Sequence, residues 1–243
     1  MKFGSQAASA AATAVVAMVL AVVPQASVRA ATTPTCGQVR IPGTTISSNT
    51  SEKITQVLLA HLTSGHVGWY NRFQWDQTHC RWVKVGSSSA VFGSAGIIAA
   101  KYRVANDNKT PAGTFKLYGA FGVGNPGTTW PYTRVTSNLW WDGRQWAWSY
   151  NHMLTSQQGC DLVNCEQLIR DTPAGGGYQY TQAIEIGYNM PVLHHYGYGS
   201  GDAIFLHYAH YFTTGCVGLT NLTELTDTLK WLKQSSNPRI VIN

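Results

Sequence analysis

Ile204-Phe-Leu-His207 and Thr213-Thr-Gly-Cys216-Val-Gly-Leu219 lie a short loop apart near the C-terminal end of the chain. The first is an apolar run ending at a histidine, and it reads as a strand over Ala203 to His207. The second sets a glycine directly before a cysteine. A thiol nucleophile needs a base within reach, a small neighbour that leaves room for substrate, and backbone N–H groups free to hold an oxyanion. His207, Gly215 and the amides of Gly215 and Cys216 are candidates for those three needs. A helix is expected just downstream, and its N-terminal end would favour an anion at Cys216.

That helix is the clearest in the chain. Asn221 is placed to cap it, with Glu224 where a capping box wants an acid. Leu222, Leu225, Leu229 and Leu232 recur at near-helical spacing, and Lys230 and Lys233 fall toward its end. A second short helix is expected over residues 157–170. Elsewhere the signals are of strands: Val57 to Leu62, Trp69 to Trp75 with Trp69, Phe73 and Trp75 on one face, Thr114 to Tyr118, Ile184 to Tyr188 and Ile240 to Ile242. Turn segments such as Gly122-Val-Gly-Asn-Pro-Gly127 separate them. Twenty-four glycines and a charged fraction of 12% agree with a single, mostly β domain.

The N-terminus reads as a secretory signal. Lys2 precedes an uncharged apolar stretch from Ala8 to Val23, Pro24 closes it, and Val28-Arg-Ala30 offers small residues for cleavage. The expected organisation is a signal segment over 1–30, a Thr/Ser/Pro/Gly-rich lead-in over 31–53 and a domain over 54–243. Removing 1–30 takes away Lys2 and Arg29 and no acid, which lowers the net charge from +6 to +4. The remaining cations are scattered, so the concentrated basic footprint of a nucleic-acid binder is missing. After cleavage no membrane span is expected, and a monomer is the expected state.

Export permits disulfides, and five cysteines leave one over. Cys160 and Cys165 can close a small ring, and Cys36 and Cys80 can tie the lead-in to the early strands, which leaves Cys216 free. The alternatives are that all five are reduced and buried, or that Cys216 is a plain core thiol. His207, His210 and Cys216, with His194 or His195, also spell a zinc set. However, His207 and His210 fall on opposite faces of a strand, and no metal motif accompanies them. No cofactor is expected.

Taken together, Ile204-Phe-Leu-His207 and Thr214-Gly-Cys216-Val resemble the signature of the L,D-transpeptidase catalytic domain (YkuD-like). Asp107-Asn-Lys-Thr-Pro-Ala-Gly-Thr-Phe115 resembles a second segment of that family. Trp141-Asp142, Tyr150-Asn151 and Tyr188-Asn189 resemble motifs of its secreted members. The resemblance implies a β-rich, sandwich-like fold acting on peptidoglycan stem peptides. It implies Cys216 as nucleophile, His207 as base and then acid, and Gly215 in the oxyanion loop. Thr214, Tyr188 and Trp141 are the substrate-contact candidates. His195 joins them if the His194-His195 pair lines the cleft rather than the surface. Lys109-Thr-Pro111 reads as a turn into a strand. The Trp-rich stretch from Trp140 to Trp148 reads equally as core and as a sugar-stacking wall. Thr214 stands where many members carry His or Arg, and Gly218 where many carry Arg or Asn. The rival to an acyltransferase is a non-catalytic wall- or glycan-binding module on the same fold, and behind it a zinc hydrolase.

Overall fold

A computed structural model of the chain describes Met1 and residues 34–190 and 196–243. The expected signal segment and the His194-His195 pair lie outside the described residues. The fold belongs to the unit Thr33–Asn243.

The early strands are β1 (Gln56–Ser64), β2 (Val67–Asp76), β3 (Arg81–Val91), β4 (Ile97–Ala99) and β5 (Thr110–Gly122). Short strands follow: β6 (Tyr132–Arg134), β7 (Trp140–Asp142), β8 (Met153–Leu154) and β9 (Cys165–Gln167). The last are β10 (Gln182–Ile186), β11 (Phe205–Tyr208), β12 (Val217–Leu219) and, after helix α1 (Leu222–Trp231), β13 (Arg239–Ile242). The main sheet runs β10-β11-β12-β3-β2-β1-β13-β5-β4. It closes on itself because the first half of the long β5 pairs with β13 and the second half with β10. Closure removes the free sheet edges at that seam and gives the mostly β, sandwich-like arrangement expected. A small second sheet, β8-β7-β9, carries the Trp-rich stretch.

Helix α1 packs on one face of the sheet. Leu225, Leu229 and Leu232 are fully buried among Leu58, Tyr70, Leu206 and Ile240, each contributing about 1.5–3 kcal/mol of burial. Asn221 caps it, accepting from Thr223 N and Glu224 N. The capping box is not completed. Glu224 turns away to meet Arg72 of β2, Nε to Oε1 2.7 Å, in a buried pair. The opposite face of β1 and β13 is covered by the lead-in, with Ile41, Ile46 and Ile54 packed on Val57, Leu59 and Val241. The Cys36–Cys80 disulfide ties that segment down, and Cys160–Cys165 closes the small ring.

One expectation is corrected. Residues 157–170 hold no α-helix: a turn leads through the disulfide into β9 and a 3-10 turn, Leu168–Asp171. A six-residue disulfide ring cannot lie within regular helix while β9 pairs with β7. In β2 the alternation holds, with Trp69, Phe73 and Trp75 on one face as expected, and the register shift opposite Arg72 and Phe73 is an extra residue, Val85, in β3. Tyr70 and Arg72 point to the other, helix side, and on the outer face Trp69 is left partly exposed while Trp75 is buried.

The Arg72–Glu224 pair sets the first prediction. Arg72→Met strands a buried carboxylate and should destabilise the protein by about 3–5 kcal/mol, whereas Arg72→Met with Glu224→Leu should recover most of that. Urea unfolding of the two variants checks it, and equal midpoints would contradict it.

Candidate active site

The segments Ile204–His207 and Thr213–Leu219 meet as neighbouring parallel strands. Leu206 pairs with Val217 and His207 with Gly218, which sets Cys216 at the entrance of β12. The loop before it is bonded shut. Thr213 N donates to Phe92 O and Ser94 N to Thr213 O. The hydroxyls of Thr213 and Thr110 both donate to Cys216 O, at 2.7 and 3.0 Å. Thr110 Oγ1 in turn accepts from Gly93 N. Thr110 belongs to the Asp107–Phe115 segment, so the two family-like segments are joined directly. Within that segment Lys109 N donates to Asp107 Oδ1 and Lys109 O accepts from Arg103 Nε, as a turn into β5 requires.

Gly215 has φ +150°, and a Cβ there would lie 2.8 Å from Arg103 Nη2. Only glycine fits that backbone and that contact. Its amide is committed to Thr213 Oγ1 at 3.2 Å, so an oxyanion would compete with a hydroxyl for it. Gly218 is fixed by packing: a Cβ would lie 2.5 Å from Ala209 Cβ and 2.7 Å from Val91 Cγ2. That crowding explains why no polar side chain stands there.

The Cys216 thiol is free and buried. Its Sγ accepts from Phe205 N at 3.3 Å and donates to Ala203 O at 3.3 Å. Ala203 holds a left-handed φ of 53°, uncommon for alanine. It is kept there by Asn151, whose Oδ1 accepts from Ala203 N and from Trp141 Nε1, both at 3.0 Å. The Asn151 amide donates to Tyr188 O and Asn189 O. The Trp141, Tyr150-Asn151 and Tyr188-Asn189 motifs therefore form the layer that positions the thiol's acceptor. Tyr188 is buried with its hydroxyl on Ser200 O, and the Arg103 guanidinium lies over its ring. Trp141 is buried as well and floors an adjacent groove.

His207 is buried, and its Nδ1 lies 2.8 Å from Tyr208 O. A carbonyl only accepts, so Nδ1 carries the proton and Nε2 is left with its lone pair. Tyr208 O is thus the group that orients the imidazole, a partner that spacing did not reveal. His207, Thr214 and Cys216 line one cavity of ≈ 300 Å³ with Glu166, Asp171 and Tyr180. Cys216, Thr214 and Gly215 also line a second cavity of ≈ 350 Å³, where Arg103, Asp202 and Glu166 form walls.

The resting charges are neutral at the centre. Burial lowers the His207 imidazole to about 4, opposed by its bond to Tyr208 O. Burial raises the Cys216 thiol to about 12, opposed by the Phe205 N–H and assisted by Glu166. Burial likewise raises Glu166 to about 7 despite the Tyr180 hydroxyl donating to it at 2.5 Å. The expected help from a helix N-terminus is absent. β12 separates Cys216 from α1, whose first-turn amides are taken by Asn221, and the dipole fades within a turn.

Sequence reasoning missed Glu166, Tyr180, Arg103 and Asp202. No motif marks them, and only Glu166 has a cue, its place beside a ring-closing cysteine. Among the described residues, the one grouping of ligand atoms close enough for a metal is Asp142 with Cys160 and Cys165, and those sulfurs are joined to each other. His210 instead lies 3.1 Å from the Tyr208 hydroxyl.

A family model described as YkuD, L,D-transpeptidase catalytic domain, matches residues 56–241. No curated protein matches the chain. Among solved structures, the helical cell shape determining protein Pgp2 from Campylobacter jejuni is similar at 13% identity and a TM-score of 0.41. The match covers 78% of this chain and 47% of that one, so the chain spans about half the length of that structure.

Two outcomes follow from the geometry. Thr110→Val removes the donor to Cys216 O and the acceptor of Gly93 N. It should cost about 1–3 kcal/mol and, by loosening the loop over the buried thiol, speed alkylation of Cys216 by a small haloacetamide, and Thr110→Ser should restore both. Thermal melts and intact mass report on it. The second concerns pH. Between pH 6.5, the ordinary imidazole value, and about 4, the unfolded chain protonates His207 while the folded chain refuses. The unfolded state then binds more protons, so stability falls as pH is lowered through that window and levels below it. His207→Gln should flatten this acid limb of Tm against pH. An unchanged limb would show that the imidazole titrates normally.

Proposed function

Because the chain belongs to the L,D-transpeptidase catalytic domain family, which acts on peptidoglycan, we propose that it is a cysteine acyltransferase of peptidoglycan stem peptides. The observation that carries this reading is the free thiol of Cys216 sharing one cavity with His207, whose Nε2 is left as the basic nitrogen by the bond from Nδ1 to Tyr208 O. The donor is a tetrapeptide stem with a diamino acid at its third position. The Cys216 thiol passes its proton to His207 Nε2 as sulfur bonds to that residue's carbonyl carbon. The tetrahedral intermediate collapses as the imidazolium protonates the departing D-alanine nitrogen, leaving a thioester. An amine of a second stem then attacks the thioester carbonyl and gives a proton to His207. The sulfur leaves and takes that proton back, and a cross-link remains. Water in place of the amine gives carboxypeptidase action.

Neutral resting forms suit this sequence. Charge separates only when substrate fills the cavity and the sulfur is bonding to carbon, so a buried thiolate is never left unpaired. Thr214 lines both cavities around Cys216, which supports it as a substrate contact. Tyr188 and Trp141 support the site from behind.

The two disulfides and the cell-wall family point to an extracytoplasmic location. Residues 1–30 are proposed as the export signal, 31–53 as the lead-in and 54–243 as the catalytic domain. Stem peptides are the proposed partner, and the protein is proposed to act as a monomer.

Incubation with a stem tetrapeptide should add the donor mass less one D-alanine to the intact protein. Cys216→Ala should carry no adduct, and His207→Gln should acylate roughly 10²–10⁴-fold more slowly. Full turnover by Cys216→Ala would overturn the reading. A protein that takes no adduct yet binds wall sacculi would be the non-catalytic module instead.

A further inference from the structure

Two large apolar rings are held out in water on the loop after β7. Trp146 and Trp148 are 74% and 88% exposed, and Val163, which lines the same groove as Trp146, is 90% exposed. The loop that presents the tryptophans is tied from below. The buried Asp142 carboxylate accepts from Arg144 N, Nε and Nη2 at 2.7–2.9 Å and from the Ser149 hydroxyl at 2.5 Å. Arg144 Nη1 reaches across to Gln158 O at 2.8 Å, against the ring closed by Cys160 and Cys165. Asn151 N then returns to Asp142 O at 2.6 Å. Such bracing gains the fold nothing by exposing indoles, whereas it pre-pays the ordering that a binding surface otherwise has to supply.

Trp146 is also the outer wall of a groove of ≈ 390 Å³ that includes Gln145, Val163, Asn164, Glu166 and Asp202. Glu166, Asp202 and Ala203 line both this groove and the cavity that holds Cys216. A ligand lying on Trp146 therefore runs directly toward the thiol. An indole face beside amide side chains suits a pyranose, which offers a C–H face for the ring and acetamide and hydroxyl groups for Gln145 and Asn164.

We propose that this groove is a glycan subsite, in which Trp146 stacks on an N-acetylated sugar of the wall polymer while the peptide borne by that strand passes Glu166 and Asp202 to reach Cys216. The assignment rests on the peptidoglycan reading above, and it deepens that reading by naming the polymer, not the free peptide, as the ligand.

Chitotetraose tests the sugar arm apart from catalysis. Titrated calorimetrically into Cys216→Ala protein, it should bind, Trp146→Ala should weaken it by about tenfold or more, and Trp146→Phe should restore most of the affinity. In turnover, a disaccharide tetrapeptide should show a lower KM than the bare tetrapeptide, and Trp146→Ala should narrow that ratio. Unaltered chitotetraose affinity in Trp146→Ala, or equal KM values for the two donors, would overturn the subsite. Self-association abolished by Trp146→Ala would assign the face to a second copy of the chain and overturn it too. Failure of both donors to acylate Cys216 would sink the acyltransfer reading alone, because the chitotetraose titration still decides the subsite.

Discussion

The bond from the Thr110 hydroxyl to Cys216 O is the constraint on which the site depends. It joins the start of β5 to the mouth of β12, segments remote in sequence that share no backbone pairing. Thr110 is fully buried and accepts from Gly93 N as it donates, so one hydroxyl satisfies groups on two loops. Loop closure over so long a separation is entropically costly, and the closed sheet meets that cost by pairing β5 with both β13 and β10. The site inherits its order from a sheet that has already closed.

Burial then sets the chemistry. Cysteine nucleophiles are commonly activated by a lowered thiol pKa, yet here the thiol is raised, with acids rather than cations prominent around it. Arg103 is the opposing charge. It sits behind Gly215 and favours the thiolate, while Glu166 and Asp202 disfavour it. In the acyl transfer proposed above, a centre balanced in this way needs substrate, desolvated in the cavity, to favour proton transfer from sulfur to His207.

Local signals in the sequence were sufficient for much of this. The apolar run into His207 became β11 and Asn221 became an N-cap, since both depend on neighbours a few residues away. The expected cysteine pairs formed, because one ring is short and the other spans the lead-in and the second strand. What stayed hidden depends on contacts between distant segments. The bulge at Val85 of β3 lies opposite Arg72, which meets a helix side chain, Glu224, far along the chain. The helix expected over 157–170 gave way to a disulfide ring and to pairing with β7. Glu166 and Tyr180 have no spacing that marks them, and their meeting at 2.5 Å is purely tertiary.

The glycine two residues after Cys216 shows how packing sets which segments line the cavities. Gly218 is opposite His207 and is pressed between Val91 of β3 and Ala209, so β12 has no room for a side chain at that place. The missing side chain is a consequence of packing. The charged groups that reach the Cys216 cavities come instead from β9, from the turn before β5 and from the segment entering β11, as Glu166, Arg103 and Asp202. These segments are also the ones braced by Asn151, by the Cys160–Cys165 ring and by the bond from Arg103 to Lys109 O. Polar side chains buried near a reacting sulfur must be held this firmly, because a misplaced charge in a low-dielectric cavity costs more than it contributes. The positions next to the cysteine can therefore be small and uncharged, provided that the walls around it are rigid.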